Sequence, residues 1–150
     1  MSEPIAPTLS DPLENLLSYQ LRRAALGTIA ALADSYAAIG LTQLEAIVIR
    51  FVKANPGCTQ SEIGRAIGVK RTNMAPIVNG LIGKSVIERT PADGRSQELY
   101  LTAAGDELHR KIARAALEHE KYFFGDVPEP TRKVLMQAFR SVRIKAEQRG

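Results

Sequence analysis

The chain has 150 residues, of which 45% are hydrophobic and only 5% aromatic, with a formal net charge of +4. That length and apolar content suit a single domain, or a domain with a helical extension, that buries a core without disulfides or metal, and they exclude an intrinsically disordered chain. A lone cysteine, Cys58, rules out an internal disulfide and argues against a Cys-based metal site.

The first ten residues read as a flexible arm. The segment MSEPIAPTLSDP has no basic stretch followed by an apolar run, so no secretory signal is expected, and no apolar run approaches membrane-spanning length. A cytoplasmic, reducing setting fits the single cysteine. From Asp11, Leu13, Leu17, Leu21, Ala24, Thr28 and Leu32 recur at helical spacing, which predicts a long helix closed by Gly40. Thr42-Gln43-Leu44-Glu45 is a capping box that opens a second helix. Leu44, Ile47, Val48 and Phe51 form its inward face, and Asn55-Pro56-Gly57 ends it.

A second capping box follows, Thr59-Gln60-Ser61-Glu62, then Ile63, Ala66 and Ile67, then Gly68 and a further helix carrying Met74, Ile77, Val78 and Leu81. Two short helices about a glycine turn within some twenty residues have helix-turn-helix spacing. Residues 86–90 and 97–101 read as strands joined through Pro91 to Ser96. Thr102 caps a helix with Leu108, Ile112, Ala115 and His119 in register, and a last helix follows Pro130. The expected fold is mainly α with a small β-hairpin wing. Residues 42–101 make the winged helix-turn-helix, and residues 11–41 and 102–150 make a helical dimerisation region. The apolar stripes of the flanking helices need burial, either in a second copy of the chain or against their own domain.

Charge is uneven. Between positions 65 and 95 lie Arg65, Lys70, Arg71, Lys84, Arg89 and Arg95 against Glu88 and Asp93 alone. A basic middle suits a polyanion partner, and charge alone fits an ordinary solvated face as well. Lys70, Arg71, Thr72 and Asn73 stand at the start of the second helix of the pair, the end from which a recognition helix reads bases. Helix capping is the competing role for Thr72 and Asn73. Gln60 and Ser61, at the start of the preceding helix, are candidates for phosphate contact. Pro76 constrains this region, because a proline is costless only in the first helical turn. It predicts either a helix starting near Asn73 or a bend.

Catalysis finds no support. His109 and His119 lie ten residues apart on one helix and point away from each other. There is no phosphate-binding glycine loop and no nucleophile motif, and no cofactor is expected.

The stretch RTPADGRSQELYLTAAG closes the case for a family. Asp93-Gly94-Arg95 on the wing, Leu101-Thr102 at the end of the second strand and Gly105 early in the next helix resemble the MarR family of winged-helix regulators. Asn73, Leu81 and Arg89 also fit its pattern, and the resemblance runs from Leu13 to Ala146. It implies a homodimer formed by the N- and C-terminal helices, a recognition helix in the major groove of double-stranded DNA and a wing whose Arg95 reaches the minor groove; Asp93 either orients Arg95 or bonds wing amides as an Asx turn, and Arg89 is a further DNA-binding candidate. It implies a repressor released by a small effector, often an aromatic acid, and a thioester of one is a further candidate. Arg22, Arg23 and Arg50 are the arginines near the effector cleft. The chain departs from the family at Pro76 and Gly80, where arginines are common, and at Ser85, where a turn glycine is expected. Those departures keep open a protein- or RNA-interaction module without operator binding. Thiol-sensing members carry their cysteine in the first helix, so Cys58 is expected to be structural.

Overall fold

A computed structural model describes residues 9–91 and 97–149. The elements run α1 (Leu17–Ala37), α2 (Gln43–Ala54), β1 (Cys58–Thr59), α3 (Gln60–Ile67), α4 (Arg71–Gly83), β2 (Ile87–Pro91), β3 (Gln97–Leu101), α5 (Ala103–Phe124) and α6 (Glu129–Glu147). The chain divides into two compact units, residues 1–115 and 116–150. No described helix is long and apolar enough to cross a membrane.

Both capping boxes form. Glu45 N donates to Thr42 Oγ1 at 3.2 Å while Thr42 N donates to Glu45 Oε2 at 2.8 Å. The same exchange joins Thr59 and Glu62. Each box satisfies two amides that a helix start otherwise leaves without partners. Gly68 closes α3 in the left-handed region at φ 69°, a conformation open to glycine at no steric cost.

The first unit is built on one core. Ala46, Val48, Ile49 and Val52 of α2 meet Ile63 of α3, Met74, Val78 and Leu81 of α4, Ile87 and Leu99 of the sheet, and Ile112 of α5, all essentially fully buried. The sheet order is β1-β3-β2, antiparallel throughout, with Cys58 opposite Leu99 and Arg89 opposite Leu99 on the other side. The two-residue β1 was not expected from the sequence. It lies on the β3 edge of the hairpin and ties the end of the α2–α3 connection to the wing. Pro91 ends β2 rather than opening the loop, which an edge position permits because its missing N–H is not needed there.

Three expectations are corrected. The helical pattern starting at Asp11 becomes helix only at Leu17. Leu13 N donates to Asp11 Oδ1 at 2.9 Å, an Asx turn that competes with helix, and Leu16 is extended at φ −89°, ψ 115°. Helix α4 starts at Arg71 with Lys70 as N-cap, which removes the late start near Asn73 but not the alternative of a bend, and Pro76 sits inside it at the sixth position. The proline removes the bond that the Thr72 carbonyl would accept. Both residues are exposed, so water reaches that carbonyl. Capping is also not the task of Thr72 or Asn73, because Lys70 accepts from the Asn73 and Met74 amides through its backbone and no side chain caps the helix.

In the second unit, Arg132 Nη2 donates to the Phe124 carbonyl at 2.7 Å and Arg132 pairs with Glu120 at 3.7 Å. Phe123 stacks at an angle with His119 and edge-on with Tyr122. Helix α6 has no buried residue. Its Val134, Leu135, Met136, Phe139, Val142 and Ile144 are all exposed.

Candidate nucleic-acid interface

The α3–α4 pair is held at close range. A Cβ on Gly64 would stand 2.9 Å from the Val69 carbonyl and 3.1 Å from Met74 Cγ, so only glycine permits this packing. The tight turn brings the N-termini of both helices to one side of the unit. A cleft of about 540 Å³ between them is lined by Gln60, Ser61, Arg65, Lys70 and Arg71 together with the glycines and Val69 of the turn. A second cleft of about 250 Å³ runs from Gln60 and Ser61 to the hairpin and is lined also by Arg71, Arg89 and Gln97.

Five predicted residues therefore converge: Gln60, Ser61, Lys70, Arg71 and Arg89. Thr72 and Asn73 lie beside them, exposed on the first turn of α4. Asp93 and Arg95 fall outside the described residues. Gln60 and Ser61 occupy the first two positions of α3, where amide groups point outward and favour an anion.

Electrostatics favour a polyanion here. Lys53 pairs with Asp106 at 2.5 Å and Lys84 with Glu45 at 2.8 Å. Arg65, Lys70, Arg71 and Arg89, by contrast, make no ion pair among the described residues. Their charge is left for a partner. Arg89 is nonetheless held, since its Nη2 donates to Asn79 Oδ1 at 2.7 Å.

Arg65, Asn79 and Gln97 were missed as site residues. Arg65 follows Ser61 by four positions and Asn79 follows Thr72 by seven, both same-face spacings on a helix that were available as signals. Gln97 becomes visible only when the hairpin pairs.

The expected effector arginines are placed less compactly. Arg23 on α1 pairs with Asp11 at 3.6 Å and lies 5.7 Å from the Tyr19 ring centre. Arg22 is exposed on the same helix. Arg50 lies on α2 near His109 of α5. Burial, and then the charges of Lys53 and Arg50, hold that imidazole below its usual range. Burial and the Glu62 carboxylate push the Cys58 thiol up, the opposite of what a reactive thiol requires.

A helix-turn-helix pair whose second helix stands beside a two-stranded hairpin, with cationic residues gathered at the helix starts, defines a winged helix-turn-helix protein. Residues 39–96 match the sequence profile of the MarR family. The fold superposes on the transcriptional repressor CouR bound to a 23-mer DNA duplex with a TM-score of 0.81 and 28% identity, over 92% of this chain and 99% of that one. The chain thus resembles the MarR family over residues 39–96 and CouR over most of its length. It is also similar to CouR bound to p-coumaroyl-CoA, with a TM-score of 0.77 and 26% identity over 91% of this chain and 98% of that one. Over 91 residues it is 28% identical to a protein of Thauera aromatica named "Putative transcriptional regulatory protein for hcr operon". That match covers 59% of this chain and 55% of the relative, so the chain spans about half of the relative's length.

Proposed function

We propose that the chain is a cytoplasmic, non-enzymatic transcriptional regulator that binds a palindromic operator as a homodimer, represses transcription there and is released by a small effector. The observation that carries this reading is the convergence of Gln60, Ser61, Lys70, Arg71 and Arg89 at two neighbouring helix starts, with no acidic partner for the three cations among the described residues. Binding uses the start of α4 in the major groove and Arg95 of the wing in the minor groove, with Asp93 orienting Arg95 or bonding wing amides.

Dimerisation rests on apolar surface. Leu17, Leu26 and Ile29 of α1 and Val134, Met136 and Val142 of α6 are each at least half exposed, more apolar helix face than a monomer leaves in water. Residues 11–41 and 102–150 supply that interface and residues 42–101 supply the DNA-binding part, while residues 1–8 of the expected N-terminal arm lie outside the described residues. The effector class is an aromatic acid or its thioester. Support comes from the CouR likeness and from Arg22, Arg23 and Arg50, each able to grip a carboxylate or phosphate with two parallel hydrogen bonds.

The test is binding to the DNA upstream of the gene for this chain. Affinity should fall steeply with salt, protection should cover a palindrome, and an aromatic acyl thioester should both raise thermal stability and release the DNA. Binding that ignores DNA sequence and symmetry rejects the regulator in favour of a general interaction module.

A further inference from the structure

We propose that Asn79 is the positioning residue for Arg89, holding its guanidinium at the cleft beside Ser61 and Arg71 without cancelling its charge. The proposal rests on the reading of that cleft as a DNA contact.

Asn79 lies on the exposed side of α4, past Pro76, and Arg89 lies in the middle of β2. Their 2.7 Å bond joins Arg89 Nη2 to the amide oxygen Oδ1. Arg89 also lines the smaller cleft, whereas Asn79 does not. The bond uses one of five guanidinium donors in a rigid planar fork, so the other donors stay available at a fixed angle. A free arginine on a strand loses rotamer freedom when it grips a phosphate. One already held by a neighbour loses less, and the difference appears as affinity.

The kind of acceptor matters. Among the described residues of the first unit, the cations that bridge separate elements elsewhere end on carboxylates, Lys53 on Asp106 and Lys84 on Glu45. Arg89 ends on a carboxamide. An aspartate of the same length would bond more strongly, but it would neutralise the guanidinium and repel the phosphate. The neutral amide orients the cation and leaves its full charge for the polyanion.

The experiment is a double-mutant cycle read by binding to a duplex carrying the upstream palindrome, over a salt series. Asn79→Ala should weaken binding about three- to tenfold, and should have no further effect in an Arg89→Ala background. Asn79→Asp should also weaken binding, with the slope of log affinity against log salt reduced by about one. Equal losses from Asn79→Ala in both backgrounds would mean that Asn79 touches DNA itself, and would overturn the proposal. So would an Asn79→Asp protein that binds like the parent. A second readout is the ¹⁵N spectrum of the Arg89 side chain in free protein. Its signal should stand apart from those of solvated arginines and collapse onto them in Asn79→Ala. An unchanged signal overturns the positioning claim. If the parent binds no duplex, the regulator reading fails, and this spectrum still decides whether Asn79 holds Arg89.

Discussion

Thr102 Oγ1 donates to the Ser85 carbonyl at 2.7 Å and accepts from the Gly105 amide at 3.0 Å. One hydroxyl thus ties the turn before the wing to the first turn of α5. A Cβ at Gly105 would collide with the Val86 carbonyl and stand 3.2 Å from Leu101 Cβ. Replacing Thr102 by Val keeps the shape but removes cap and tether, and should cost about 1–2 kcal/mol in urea unfolding. Gly105→Ala should cost about 1–3 kcal/mol through overpacking. A Gly105→Ala protein as stable as the parent would show that the helix start yields freely.

Ser85 has φ 57°, the one positive value outside glycine among the described residues. Its backbone bonds Ile82 and Thr102, its side chain is exposed, and the left-handed conformation costs a non-glycine residue about 1–2 kcal/mol. Ser85→Gly should therefore raise stability by roughly 0.5–1 kcal/mol, after the added freedom of the unfolded chain is subtracted. A lowered melting temperature would contradict this.

Glu45 supplies a pH dependence. Burial raises its carboxyl, but the hydrogen bonds from Lys84 and from Thr42 outweigh that and hold it below its usual value of 4.5. A carboxyl depressed in the fold stabilises the fold fully above its unfolded value, and that stability is lost as pH falls through the folded value. Urea midpoints of the parent and of Glu45→Gln should differ at pH 7 and converge below about pH 4.5. A gap as large at pH 3 as at pH 7 would mean that it does not come from the carboxylate charge.

For Cys58, burial and Glu62 keep the thiol protonated near neutrality. Alkylation at pH 7 should be slower than for a small free thiol, and Glu62→Gln should speed it. Fast labelling of the folded parent would reopen a redox role.

DNA binding separates the contacts. Arg71→Ala should weaken operator binding by about 1–3 kcal/mol and relax sequence preference, as loss of a base contact does. Arg95→Ala on the wing should cost about 1–3 kcal/mol at the operator, and Asp93→Ala less. Unchanged operator affinity in Arg95→Ala at physiological salt would remove the wing as a reader.

Much of this was legible because it is local. The capping boxes at Thr42 and Thr59, the turn at Gly68 and the cap at Thr102 each depend on residues three or four apart, and all stand as read. The start of α1 was misplaced because the apolar spacing through Leu13 ignores the Asx turn of Asp11. The start of α4 was misplaced because an exposed helix tolerates the proline that seemed to forbid it. The bond from Asn79 to Arg89, the edge strand at Cys58 and the contact of Gly105 with Val86 join separate elements. Spacing along the chain carries no trace of them.

Helix α6 buries no residue within its own chain. If a second copy covers it, as proposed, its folding is a second-order event, and the melting point of the protein becomes a function of how much protein there is. Each tenfold dilution would take about 1.4 kcal/mol from the assembled state. Copy number in the cell would then set not only how many operators are filled but also how much of the regulator exists in a form able to fill them.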